Sequence, residues 1–181
     1  MSRRQTSRGF TLMEVIIGGT LGSFVLLGVM TAFLMLGRSG ANAANYSVME
    51  AQSRRALEEL SQDLRMSSGI TWNSATSITL LVPDNYTAFT NRVTYAYDST
   101  AQTFYRMPGA SGSGNPQTTL IRNVSTFAYS RFDRLDNTTT SDTNTKRVQL
   151  SMIVRTTTRT VATASNNILS ASFILRNKPT S

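Results

Sequence analysis

Cysteine and histidine are both missing from this 181-residue chain. Their absence excludes disulfides, a thiolate nucleophile, zinc fingers and every catalytic triad built on histidine. It does not fix a compartment; an exported domain would simply have to hold together by packing alone. Charge is also sparse, at 15% of residues, while apolar residues make up 40%. That balance is not the one of a charge-rich disordered protein. Negative charge is the scarcer sign, with ten acids against eighteen Lys and Arg and a net charge of +8. Three of the positives, Arg3, Arg4 and Arg8, stand ahead of an apolar run. The other fifteen are scattered rather than clustered, which argues only weakly for nucleic acid. The length suits one ordinary domain with an appendage.

The apolar run extends over residues 10–36. Of its 27 residues, eighteen are apolar, four are Gly, four are Ser or Thr, and Glu14 is the one charge. As a helix it would be roughly 40 Å long, enough to cross a hydrocarbon core of about 30 Å with some tilt. Arg3, Arg4 and Arg8 on its N-terminal side place that end in the cytoplasm and the bulk of the chain outside. Three readings compete. A cleaved signal peptide has an apolar core of about 7–15 residues and a small-residue cleavage site after it; this run is about twice as long and no such site follows. A plain anchor fits the length but leaves Glu14 unexplained, because a carboxylate in lipid is costly. The third reading places a cut after Gly9. Phe10 then carries a new α-amine, and Glu14 lies one helical turn further on, on the same face. An amine from this chain or a neighbour would supply the cation that a carboxylate in lipid needs.

Beyond the run, "GRSGANAAN" (37–45) is small and polar and is expected to break or loosen the helix in water. An amphipathic helix follows, with Met49, Ala56, Leu57, Leu60 and Leu64 forming one stripe. Glu50 with Arg54 and Arg55 with Glu59 form i,i+4 pairs on its outer side, and Gly69 is the expected stop. After Trp72 the texture is that of strands: 77–82, then a hairpin of 92–98 and 103–107, then 119–132 as one or two strands, 147–156 and 168–175. "PGASGSGNP" (108–116) reads as a flexible loop and 136–146 as an exposed polar one. Six or seven strands following one long helix, without helices between them, predict an α+β fold with an antiparallel sheet.

The stretch "RGFTLMEV" behind a short basic leader resembles the class III signal of type IV pilins and type II secretion pseudopilins. "RRALEELSQDLRMSSGI", "VTYAYDSTAQTFYR", "LIRNVSTFAYSRFD" and "FILRN" are similar to W-type minor pilins and J-type pseudopilins. The resemblance implies that a prepilin peptidase cuts after Gly9, that the new N-terminal Phe10 is N-methylated, and that Glu14 guides docking into a growing filament. It implies a pilin-like division: 1–9 a leader peptide, 10–36 a transmembrane and filament-core helix, 37–71 its amphipathic continuation, and 72–181 a β-rich globular domain. The implied role is a bacterial minor pilin or pseudopilin that primes filament assembly at the tip. Its partners would be other minor and major pilins, held through the N-terminal helix, in the inner membrane with the globular domain periplasmic. One departure is the lack of proline in the membrane helix, where many pilins have one; Gly18, Gly19, Gly22 and Gly28 are weak points instead, or allow close helix packing.

No catalytic constellation is found, and the chain is read as a structural protein rather than an enzyme, with no cofactor. Asp133, Asp136 and Asp142 fall in or beside one polar loop, the kind that calcium prefers, but their spacing matches no EF-hand. "GASGSG" lacks the Lys of a phosphate loop. Asn85 and Asn123 stand in glycosylation-type triplets that carry little meaning in a bacterial chain. Arg92, Tyr95, Tyr97, Tyr105 and Arg106 could gather on the hairpin as a contact for single-stranded nucleic acid. The alternative function is accordingly a pilin whose exposed domain binds DNA or a surface ligand.

Overall fold

The computed structural model describes residues 9–83, 91–156 and 165–178. The chain divides into two compact units, Met1–Asn42 and Ala43–Ser181. One helix, α1 (Leu12–Met66), contributes to both. It runs without interruption through 37–45, where a break was expected. Ala41, Ala43 and Ala44, the strongest helix formers, offset Gly37 and Gly40, each of which costs only about 1 kcal/mol relative to Ala.

In the first unit the apolar helix has no protein cover. Phe24 and Leu26 are 73% and 70% exposed, and no residue of the 10–36 run is buried. The hydroxyls in this stretch turn inward on the helix itself. Thr20 donates to the Ile16 and Ile17 carbonyls, Ser23 to Gly19 and Thr31 to Leu27, at 2.8–2.9 Å. Polar groups satisfied within their own helix suit an apolar solvent, where an unpaired donor costs several kcal/mol.

The second unit is built on eight strands among the described residues. Sheet A is β1 (Gly69–Ser74), β2 (Ser77–Leu81), β3 (Arg92–Asp98), β4 (Thr103–Pro108) and β5 (Thr118–Ile121), in that spatial order. Sheet B is β6 (Val124–Phe132), β7 (Arg147–Thr156) and β8 (Ser165–Ile174). All pairings are antiparallel. The α+β class expected from the sequence is therefore present, with two sheets rather than one. The helix ends at Met66 and not at Gly69, because the Ser67 hydroxyl caps the Leu64 carbonyl at 2.8 Å and the Ser68 amide already bonds Leu81. Gly69 opens β1 instead.

The sheets separate at Asn123, whose φ of 59° lies in the left-handed region that Asn tolerates better than most residues. Around it the Val124 amide bonds the Gln102 carbonyl, and the Arg155 amide bonds the Asn123 carbonyl, both at 2.9 Å. Residues 119–132 are thus two strands in two different sheets. The 108–116 loop is held rather than slack: Gly109 donates to Arg92 at 2.7 Å, and Asn115 donates to the Pro108 carbonyl at 2.7 Å. Gly109 has φ 96°, and a Cβ there would lie 2.7 Å from Asn115 Nδ2, so only glycine fits.

The core joins the helix to both sheets. Met49, Ala56, Leu60 and Leu64 are buried from the helix, Ile78, Leu80, Val93 and Phe104 from sheet A, and Val148, Leu150, Met152 and Val154 from sheet B. Leu57 is only partly buried; the buried face takes in Ser53 and Asp63 instead. Phe127 of β6 links the sheets, stacking on Tyr97 at 5.2 Å and Phe104 at 5.3 Å and meeting Tyr129 edge-on at 4.8 Å.

Candidate functional site

The N-terminal end of α1 is arranged by Thr11 and Glu14. Thr11 precedes the first helical residue, and Glu14 sits in the first turn. The Thr11 amide and hydroxyl donate to Glu14 Oε2 at 2.9 and 3.0 Å, and the Glu14 amide donates to Thr11 Oγ1 at 3.3 Å. This is a capping box, in which side chains reciprocally satisfy amides that the helix leaves open. It gives Glu14 a second role that the sequence reading missed, although the Thr-x-x-Glu spacing before an apolar run is its signature. One carboxylate oxygen serves the cap, and the group as a whole is exposed.

Gly9 and Phe10 lie just before the cap, and both are exposed, Phe10 at 86%. A Cβ added at Gly9 would meet nothing within 4 Å. The fold therefore makes no steric demand for glycine at this position. Gly18, Gly19, Gly22 and Gly28 are likewise open, with nothing within 4 Å of an added Cβ. α1 contains one stretch long and apolar enough to cross a membrane, with a mean hydropathy of 2.0 and none of it buried.

The hairpin residues do not assemble into an open basic face. Tyr95 is fully buried and donates to Asp63 Oδ2 of the helix at 2.7 Å. Burial pushes its hydroxyl well above the usual phenol range, and the Asp63 carboxylate pushes it further. Arg106, opposite Tyr95 in register, brings its Nε to 3.2 Å from Asp63, Tyr95 Oη and Glu59 Oε1 alike. Glu59 thus faces Arg106 rather than the expected Arg55, whereas the Glu50–Arg54 pair forms at 2.9 Å on the surface. Tyr97 donates to the Val124 carbonyl at 2.9 Å. Only Arg92 remains exposed, with Tyr105 half-buried. Aromatic side chains that are stacked or hydrogen-bonded inside the domain cannot serve as platforms for bases.

The three loop acids are also occupied separately. Asp133 accepts from the Leu135 and Asn137 amides at 2.8 and 2.9 Å, and Asp136 pairs with Arg147 at 2.8 Å. Asp142 binds Arg131 and accepts from the Trp72 amide at 3.2 Å. Arg131 in turn lies 4.6 Å over the Trp72 ring, tying β6 to β1. Among the described residues there is no group of three or more acids placed to hold a metal ion.

Compared with known proteins, the chain matches no family model and no curated protein. The functional reading therefore rests on its own residues.

Proposed function

We propose that this chain is a minor pilin or pseudopilin, a structural subunit that primes assembly at the tip of a type IV pilus or type II secretion pseudopilus. The observation that carries the reading is the N-terminal end of α1. An uncovered apolar run, 10–36, begins directly after a glycine that the fold does not require, and its only charge lies one turn in. A glycine without a steric role suits a narrow protease subsite. A fully exposed apolar helix suits lipid first and neighbouring helices afterwards. In this reading the chain crosses the inner membrane once, with its N-terminus cytoplasmic and its globular domain periplasmic. A prepilin peptidase cuts after Gly9, Phe10 becomes the methylated N-terminus, and Glu14 meets the α-amine of a neighbouring subunit.

The capping box supports a second reading of Glu14 as an ordinary helix cap. Glu14→Gln separates the two, because Gln keeps most of the capping geometry and loses the charge. Under the assembly reading, both Glu14→Gln and Glu14→Ala are cut normally and inserted in the membrane, yet fail to co-purify with partner pilins. Co-purification of the Gln variant at the level of the unaltered chain would leave only the cap. The cleavage site is read by the intact mass of membrane-extracted protein: Gly9→Leu should retain residues 1–9, and a mature mass from that variant would refute the site. The role is read by counting surface filaments on cells that lack this chain but express the major pilin. Loss of filaments with the major pilin accumulating in the membrane is expected of a primer.

A further inference from the structure

One end of sheet B forms a basic groove that neither the core nor the assembly reading uses. Register puts Phe132, Arg147 and Ile174 on one rung across β6, β7 and β8. Just beyond this rung, the turn at 133–136, Lys146 and the tail at 175–176 surround a cavity of about 480 Å³. That is the size of a site for a small ligand or a short peptide segment.

Most charged side chains in the groove already have a hydrogen-bond or ion-pair partner. Asp133 is consumed by its own turn, and Asp136 holds Arg147 at 2.8 Å. Lys146 donates to the Lys178 carbonyl. Arg134 and Arg176 remain. Both guanidiniums are exposed, line the same cavity, and have no partner among the described residues. Beside them Ile174 is 61% exposed, an apolar surface on the same wall. The surrounding unit is basic overall, with fourteen Lys and Arg against nine acids in residues 43–181.

We propose that this groove docks an acidic segment of a partner protein, with a carboxylate held by Arg134 and Arg176 and a neighbouring aliphatic side chain resting on Ile174. A planar guanidinium matches a carboxylate with two parallel hydrogen bonds, and two unpaired ones give a strong preference for it. The apolar Ile174 surface beside the two arginines suits an acid next to an aliphatic residue rather than a uniformly charged polyanion. No aromatic platform for a base is open here, since Arg147 covers the Phe132 ring at 3.9 Å. The proposal does not depend on cleavage after Gly9 or on filament assembly.

The test uses the full chain in detergent micelles and a fluorescein-labelled peptide of repeated Glu-Glu-Leu, followed by fluorescence anisotropy at low salt. Its Gln-Gln-Leu counterpart and a labelled single-stranded oligonucleotide serve as comparisons. Saturable binding of the acidic peptide is expected, weakening as salt shortens the reach of surface charge below about 10 Å. Reversing Arg134→Glu and Arg176→Glu together should weaken it about tenfold or more, the loss of two charged hydrogen-bond donors. Arg155→Glu, an exposed charge reversal elsewhere on β7, should leave it within about twofold, a difference under 0.5 kcal/mol. Ile174→Ser should weaken binding without changing its salt dependence. Absence of saturable binding, or equal binding by the reversed and unaltered chains, overturns the proposal. Preferential binding of the oligonucleotide also overturns it and assigns the groove to nucleic acid. Unchanged Trp72 fluorescence in each variant excludes misfolding as the cause.

Discussion

The Tyr95 hydroxyl of β3 donates to Asp63 of α1 across 2.7 Å, inside the domain, with Arg106 of β4 3.2 Å from both. One carboxylate thus ties the helix to two adjacent strands. Removing it leaves a buried hydroxyl without an acceptor and a largely buried guanidinium with Glu59 as its one remaining acidic partner. Asp63→Ala is expected to destabilise the domain by about 3 kcal/mol, as breaking a buried pair does. Tyr95→Phe should cost about 2 kcal/mol, the loss of one hydrogen bond to a charged group with its shape retained. Urea unfolding followed by Trp72 fluorescence measures both. Equal, near-zero effects would show that the network contributes nothing to docking of the helix.

A second buried phenol behaves in the opposite way. Tyr129 is buried against Trp72 and Phe127, and its hydroxyl has no hydrogen-bond partner among the described residues. Tyr129→Phe should therefore raise stability, by about 1 kcal/mol, because it removes an unsatisfied polar group without opening a cavity. The same urea titration checks the sign. A loss of stability would mean that the hydroxyl is bonded in solution.

Both phenols make stability pH-dependent at the alkaline end. Burial pushes each above the usual phenol value, and for Tyr95 the Asp63 carboxylate adds to it. A folded value raised above the unfolded one, near 10, favours the protonated form in the folded state. The stabilisation is complete below about pH 10 and is lost as pH rises above it. The urea midpoint should be flat at neutral pH and fall above about pH 10. The fall should be shallower in a chain carrying both Tyr95→Phe and Tyr129→Phe.

Phe127 and Asn123 carry the connection between the sheets. Phe127→Ala should cost about 3–5 kcal/mol, since the ring packs against both sheets and a cavity would remain. At Asn123 the left-handed backbone, φ 59°, sets the rule. Asn123→Gly should be close to neutral, whereas Asn123→Val should cost about 1–2 kcal/mol. Equal effects of Gly and Val would mean that the backbone strain is relieved elsewhere.

Much of this protein is legible in its sequence because the signals are local. The apolar run, the strands at 92–98 and 147–156, and the Glu50–Arg54 pair depend only on neighbours a few residues apart, and the structure has them at those residues, although burial alternates only in 147–156 and Val93 to Ala96 are buried on both faces. The roles proposed for Gly9, Phe10 and Glu14 rest on spacing along one chain and not on the fold. Long-range order had to be seen. Ser53 and Asp63 lie on the buried helix face although they are polar, because distant strands enclose them and Tyr95 satisfies the acid. The same partnering drew Arg106 and Tyr95 into the domain, Tyr97 turned to the Val124 carbonyl, and the expected basic face was dismantled. The split of 119–132 between two sheets turns on one backbone angle, which residue type permits but does not dictate. Arg134 and Arg176 are 42 positions apart, and only the closing rung of sheet B brings them to one groove. Sequence determined the apolar span, the amphipathic helix and most of the strands, since those follow from periodicity, but not the unbroken helix through 37–45 or the strand at 69–74. Tertiary structure decided which charges are matched and which are left free, since that depends on contacts between residues far apart in the chain.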